Sequence, residues 1–224
     1  LFYATKERAA DSLRVWNTLT PEQKTENESD ARIIAQAFFE KKYFRSAVGF
    51  TREVGIETDA QAEKIQNAGF ESSIGKENDS YFNWKVIPTE KVDVRLDPSQ
   101  KRSGNRSLRI VFNGYAAAQY YQVYQIVAVE PNAKYRLNFW LRTENLKSAG
   151  NPLIEIVNAN DEKPVKASEA FSDGTNEWQE MKIEFVAPPN AEGVTVRAAR
   201  AFCGNQCPLF GSIWLDDFSI SRVN

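Results

Sequence analysis

The chain has 224 residues, with 28 Lys and Arg against 30 Asp and Glu, a formal charge of −2 and a pI near 5.5. A composition of 42% hydrophobic and 26% charged residues excludes global disorder, and the lack of basic clusters argues against nucleic acid as the main partner. Histidine is absent, which excludes Ser-His-Asp and Cys-His nucleophiles and H-E-x-x-H zinc sites, and removes the usual proton buffer near neutral pH. The length fits one large domain, or a medium domain with a short extra unit. No apolar run approaches the about 20 residues of a membrane-spanning helix. The chain opens at Leu1 without a visible signal segment, so it reads as a mature fragment or a piece of something longer.

The first sixty residues predict helix. Over residues 6–19, Ala9, Leu13, Val15 and Trp16 form an apolar side. Thr20-Pro21 has the form of a helix start, with Thr20 as cap and Pro21 in the first turn. The polar stretch 22–30 reads as a short helix or a loop. From Ala31, the residues Ile34, Ala35, Phe38 and Phe39, then Phe44, Ala47, Val48 and Thr51, recur at helical spacing. Glu40-Lys41-Lys42 between them predicts a tight connection of two antiparallel helices.

Ile34, Ala35, Phe38, Phe44 and Ala47 give this hairpin the pattern of a tetratricopeptide repeat, which it resembles. It departs from the pattern in having no closing proline and only one clear repeat. The resemblance implies contact with a protein partner through the helical part. Since a solenoid needs about three repeats to bury its core, either further repeats precede this stretch or the rest of the chain caps it.

After about Gln61 the periodicity changes. Runs at 84–87, 107–112, 123–129, 135–141, 153–157, 181–186, 194–198 and 213–220 are short and apolar or alternating. Turn signals such as Ser103-Gly104-Asn105, Pro131-Asn132, Ser172-Asp173-Gly174 and Pro188-Pro189-Asn190 separate them. The expectation is a mainly β protein, an antiparallel two-sheet sandwich with a short helical unit. The units fall at residues 1–60 and 61–224. Tyr135, Leu137, Phe139 and Leu141 share a core face, as do Val123, Val127 and Val129, and as do Met181, Ile183 and Phe185. Each such strand is expected to keep its other face open.

Asn67-Ala68-Gly69-Phe70-Glu71, Trp84, Gly104-Asn105-Arg106-Ser107-Leu108, Gln125 to Val129, Pro131, Tyr135 to Phe139, Trp178 and Trp214 to Ile220 follow one another in a characteristic order. In this they resemble jelly-roll carbohydrate-binding modules of the family 4 and 9 type, a galactose-binding-like fold. The resemblance implies a structural calcium held by Glu71 and Asp217, with Asp216 adjacent. Two carboxylates that meet need a cation or a basic partner. The alternative is that Asp216 and Asp217 bond to nearby backbone or to arginine.

A sugar platform needs flat aromatic rings and polar hydrogen-bonding groups. Tyr120, Gln122, Tyr124, Asn138, Trp140 and Arg142 supply both kinds, and Trp140 sits between core residues Phe139 and Leu141. The competing reading packs this face on the helices or splits it between sheets. Cys203 and Cys207 are too few for zinc and read as a disulfide-closed loop. Such a loop favours an oxidising location, periplasmic or extracellular in a bacterium. The acidic residues Glu155, Asp161, Glu162, Glu180 and Glu184 lie in no motif that sets a catalytic pair apart. The expected role is therefore non-catalytic binding or scaffolding at the cell envelope, with a polysaccharide and a protein as candidate partners. The alternatives are a purely structural cap of a helical solenoid and a glycosidase-type enzyme.

Overall fold

The computed structural model describes residues 9–75, 80–204 and 207–223. The expected helix start at residues 6–8, and Asn205 and Gln206 between the cysteines, lie outside them. Four helices come first: α1 (Ala9–Thr18), α2 (Pro21–Glu26), α3 (Glu28–Glu40) and α4 (Phe44–Glu53). Thr20 caps α2 reciprocally. Its hydroxyl accepts from the Gln23 N–H at 3.3 Å, and the Gln23 side chain accepts from the Thr20 N–H at 2.9 Å. Helices α3 and α4 form the expected hairpin, turning through Lys42 at φ 63°. Buried Ala31, Ala35 and Ala47 let the pair approach, and Phe38 meets Phe50 edge-on at 5.7 Å.

Ten strands follow: β1 (Lys85–Val86), β2 (Val92–Asp97), β3 (Ser107–Tyr115), β4 (Val123–Ala128), β5 (Lys134–Lys147), β6 (Pro152–Asn158), β7 (Pro164–Ala167), β8 (Gly174–Val186), β9 (Gly193–Arg200) and β10 (Leu209–Arg222). They form two five-stranded sheets. The first has the order β1-β4-β9-β6-β7 and the second β2-β3-β10-β5-β8, with every pairing antiparallel. The expected core faces meet between the sheets: Tyr135, Leu137, Phe139 and Leu141 from β5 against Val123 and Val127 from β4, all buried. Strands β2 and β7 were not expected from the sequence. Both are sheet edges, where a strand needs little apolar surface and the pattern is correspondingly weak.

Strand β9 departs from the expected one-open-face pattern, because all eight of its residues are buried. At its Gly193 end the cause is the helical unit, which lies on the outer face of the first sheet, and at Arg197 it is Tyr121 with Glu155 and Glu162. Ala128 of β4 pairs with Gly193 of β9, and Ala159, just past β6, donates its N–H to the Gly193 carbonyl at 3.2 Å. These three small residues make a flat strip across three strands. Phe44 of α4 settles there, so close that a Cβ on Gly193 would stand 2.4 Å from its ring. Ala128, Ala159 and Phe82 thereby join Trp16, Phe38 and Phe50 in one buried cluster.

The segment between helices and sandwich is tied down by polar groups. Fully buried Gln125 accepts from the Gln66 N–H and donates to the Gln66 carbonyl, each at 2.9 Å. This explains why a polar residue occupies a core-facing position of β4. Glu63 bridges Arg45 of α4 (3.3 Å) and Arg222 of β10, where the guanidinium Nε donates at 2.8 Å.

Two outcomes are expected. Gly193→Ala drives a methyl into the buried Phe44 ring and lowers stability by about 1–3 kcal/mol, the usual range for overpacking, measurable by thermal or urea unfolding. The Arg222 guanidinium holds the Glu63 carboxyl below its ordinary value of 4.5. Its contribution to stability is therefore present above that value and lost as pH falls through the lower folded one. Glu63→Gln should flatten that acid-side fall in the melting temperature relative to wild type.

Candidate binding face

One register line crosses the whole first sheet: Lys85, Tyr124, Arg197, Glu155 and Ala167, from β1, β4, β9, β6 and β7 in turn. Side-chain alternation puts all five on the outer side, away from Val123, Gln125 and Val127. At the β1 and β4 end of the line lies a cavity of about 790 Å³, with Tyr124 and Ile126 in its floor. Gln36 and Phe39 of α3, with Tyr81, form its wall. The wall is rigid at its base, because the Phe39 ring packs on Phe44, Tyr81 and Phe82 at 5.3–5.7 Å.

Further along the line the face is filled. The guanidinium of Arg197, itself only 7% exposed, lies 3.8 Å from the centre of the Tyr121 ring. It donates to Glu155 at 2.9 Å and to Glu162 at 2.7 Å. Glu162 reaches in from the turn between β6 and β7.

The six expected platform residues do not share a face. Tyr120 points into the sandwich interior at 1% exposure, against Phe112 and Tyr115, and burial pushes its phenol up. It precedes β4 in irregular chain, where strict alternation does not hold. Gln122 and Tyr124 go with the first sheet. Asn138, Trp140 and Arg142 go with β5 on the outer side of the second sheet, where the helices do not pack.

There the aromatic faces are already taken. Arg102, from the loop after β2, lies 4.1 Å from the centre of the Trp140 ring. Trp214, paired with both Arg109 and Arg142, has those guanidinium groups 4.9 and 5.2 Å away and donates its indole N–H to Asp97 at 2.9 Å. Asn138 faces Ser219 at 3.5 Å.

The expected calcium ligands lie together near the same loop but are engaged by N–H and O–H donors. Glu71 accepts from the Asn105 N–H at 2.8 Å, the Asn105 side chain at 3.1 Å and the Arg106 N–H at 3.3 Å. These hydrogen bonds, the backbone one from Asn105 foremost, hold its carboxyl below the usual range. Asp216 is fully buried and accepts from the backbone of Arg102, Ser103 and Asp217; burial pushes its carboxyl up. Asp217, at φ 48°, accepts from the Ser103 hydroxyl at 2.6 Å. Among the described residues no group of three acidic or sulfur ligands surrounds a common point. As arranged, these carboxylates clamp the 102–106 loop.

Cys203 and Cys207 are bonded to each other, with Cα atoms 6.0 Å apart. Beside them Arg200 is buried without a carboxylate partner among its described contacts. It donates to the carbonyls of Ala117 and Cys207, each at 2.9 Å, and to Gly150 at 3.1 Å. Among the described residues, no helix is long and apolar enough to cross a membrane.

Sequence reasoning named Tyr124 and Gln122 as platform residues, set Glu155 aside as an acid in no motif, and did not name Tyr81, Lys85, Tyr121 or Arg197. One usable signal was present. Arg197 is the one charge within the uncharged run Val194 to Ala199, which marks a buried strand with a partner waiting. The loop reading of Glu71 and Asp216 predicts that a chelator leaves the melting temperature unchanged. Asp216→Ala, which strands three backbone N–H groups, should lower it markedly. A fall in melting temperature on chelation would instead favour calcium.

A family model described as "Carbohydrate binding domain", of the family 4 and 9 type, matches residues 62–200. Comparison with curated proteins found no match. Among solved structures, one described as "CBM4 structure and function" is 15% identical with a TM-score of 0.50, the match covering 71% of this chain and 99% of that one. An arabinose-bound α-L-arabinofuranosidase, MgGH51, is 12% identical with a TM-score of 0.52, covering 75% of this chain and 28% of that one. The CBM22-1 xylan-binding domain from Paenibacillus barcinonensis is 14% identical with a TM-score of 0.45, covering 70% of this chain and 92% of that one. At such identities the first two likenesses speak to the sandwich fold alone. The family match spans β1 to β9 and leaves α1–α4 outside it. Because it takes in more than half of the sequence, the chain belongs to the carbohydrate binding domain family.

Proposed function

We propose that this protein is a non-catalytic glycan-binding module, and that its site is the cavity on the outer face of the first sheet. The observation that carries the reading is the lining of that cavity. Tyr124, Tyr81 and Phe39 present rings suited to the C–H faces of a sugar, and Gln36 adds an exposed amide for hydroxyls. Family membership supports the ligand class. The Trp140 face is a weaker candidate, because Arg102 already stacks where a sugar ring would lie.

Hydrolysis needs two carboxylates in a cleft, one of them free to protonate the leaving group. The acids bonded to its lining are engaged, Glu40 accepting from Gln36 at 2.6 Å and Glu57 from the Ser80 hydroxyl at 2.7 Å, and further along the face Glu155 and Glu162 both accept from Arg197. That occupancy favours binding over catalysis.

The helical unit has a second candidate role in protein contact. Between α1 and α3 it carries an apolar groove of about 380 Å³, lined in part by Val15, Trp16, Leu19 and Ile34. Val15 is 63% exposed. The disulfide supports a periplasmic or extracellular setting, where such bonds persist.

Glycan-array binding followed by titration calorimetry tests the reading. Tyr124→Ala should weaken binding at least tenfold, equivalent to about 1.4 kcal/mol, with an unchanged circular dichroism spectrum. Trp140→Ala should leave affinity near wild type. The reverse pattern would move the site to the second sheet.

A further inference from the structure

Arg200, at the end of β9, is only 7% exposed, and among the described residues its N–H groups meet uncharged acceptors alone. Its Nε donates to the Gly150 carbonyl at 3.2 Å, and Nη1 to the carbonyls of Tyr115 and Ala117 at 3.4 and 2.9 Å. Its Nη2 donates to the Ser148 hydroxyl at 3.0 Å, the Cys207 carbonyl at 2.9 Å and the Cys203 sulfur at 3.2 Å. A buried cation is costly without an anion beside it, and a disulfide sulfur is a weak acceptor. A thiolate at the same place would supply the counter-charge. We propose that Cys203 is a thiol-exchange site: its bond to Cys207 opens reversibly to a small dithiol, and Arg200 holds the freed sulfur as a thiolate.

Packing positions this sulfur as well as the disulfide does. Cys203 lies directly on the Gly150 backbone, where a Cβ would stand 2.6 Å from its sulfur and 2.2 Å from the Ala201 carbonyl oxygen. Reduction therefore leaves Cys203 against the guanidinium. The two sulfurs differ in access. Cys203 is partly exposed, whereas Cys207 is 4% exposed and its sulfur lies 3.3 Å from the Ser148 hydroxyl. Among the described residues, Arg200 is the charged group in contact with either sulfur. Nearby charges and phenols are engaged elsewhere or face solvent. The Asp173 carboxylate accepts from the Asn151 amide at 2.7 Å, the Tyr115 hydroxyl donates to the Gln119 carbonyl at 2.5 Å, and Lys147 is exposed.

The chemistry is a pair of exchanges. A reagent thiolate attacks the accessible Cys203 sulfur. The Cys203–Cys207 bond breaks, and its electron pair goes to Cys207, which takes up a proton from solvent. The reagent's second thiolate then attacks the reagent sulfur of the mixed disulfide and expels Cys203 as a thiolate onto Arg200. The dithiol loses two electrons and two protons and becomes a cyclic disulfide. The protein gains both electrons and one proton, and the other proton goes to solvent. A stabilised leaving thiolate speeds the second exchange and favours the reduced form.

The experiment reduces the whole chain with dithiothreitol, alkylates it with iodoacetamide across a range of pH, and reads each cysteine by peptide mass. The expected result is modification of Cys203 ahead of Cys207, with a circular dichroism spectrum that reduction leaves unchanged. Cys207→Ser leaves Cys203 single beside Arg200. By its ultraviolet thiolate absorbance at neutral pH, this variant should show a thiolate-to-thiol ratio at least tenfold above that of the same chain unfolded in urea. In that background Arg200→Gln should abolish the excess, and an excess that persists would overturn the role of Arg200. If that variant does not fold, the wild-type and Cys207→Ser measurements decide. A ratio no higher than in the unfolded chain, alkylation falling first on Cys207, or loss of the fold on reduction would each overturn the proposal.

Discussion

The contact on which most of the structure depends is the seating of Phe44 on a strip of small residues. Ala128, Gly193 and Ala159 leave the outer face of the first sheet flat at one place, and an aromatic ring from α4 fills it. Without that strip, α3 and α4 would have an apolar side of Ala31, Ala35, Phe38 and Val48 with only α1 to cover it. With it, the hairpin and the sheet share one buried cluster. The same contact covers the Gly193 end of β9 and brings α3 beside Tyr124, where Gln36 and Phe39 line the cavity. The absence of a side chain on Gly193 thus helps set the shape of a candidate site that it does not itself line.

Arginine decides which aromatic rings remain available. Arg102 covers Trp140, Arg109 and Arg142 flank Trp214, and Arg197 lies against Tyr121. A guanidinium plane on an aromatic face shields it from water and contributes about 0.5–2 kcal/mol, depending on exposure. A ring so covered is structural surface. Tyr124 and Tyr81 have no such cation over them among the described residues, and they line the cavity. The distinction separates two faces that look equally aromatic in the sequence.

The sandwich was legible because its strands alternate. The period-two pattern of Tyr135, Leu137, Phe139 and Leu141 survives folding unchanged, since the second sheet has helices on neither side and each strand solves one burial problem. The hairpin was legible for a similar reason, through spacing and the Thr20-Pro21 start. The site was less so. Trp140 and Tyr124 both occupy outward positions of interior strands, and the pattern cannot say which sheet a strand joins. Nor can it say that Arg102, 38 positions earlier, covers one of them. Tyr120 was misassigned because alternation was extended three residues beyond the strand into irregular chain. Glu71 and Asp217, expected as a pair with Asp216 adjacent, lie near one another across the fold, but the N–H and O–H groups that engage them carry no sequence signature.

The filled part of the outer face depends on a further arrangement at the end of β9. Tyr121 stays over Arg197 only if the chain before β4 is fixed, and that chain is irregular. Its anchor is Arg200. A buried guanidinium with no carboxylate beside it is costly unless its N–H groups are satisfied. Here carbonyls do so, among them Tyr115, Ala117, Gly150 and Cys207. Two of these belong to the approach to Tyr121 and one to the disulfide loop. The Tyr115 hydroxyl donates to the Gln119 carbonyl at 2.5 Å, and Tyr120 is sunk into the core beside it. Arg197 and Arg200 are three residues apart on one strand and therefore leave it on opposite sides. Arg200 holds the segment that carries Tyr121, and Arg197 receives the ring. The disulfide closes the loop that supplies the Cys207 carbonyl and so belongs to the same chain of contacts.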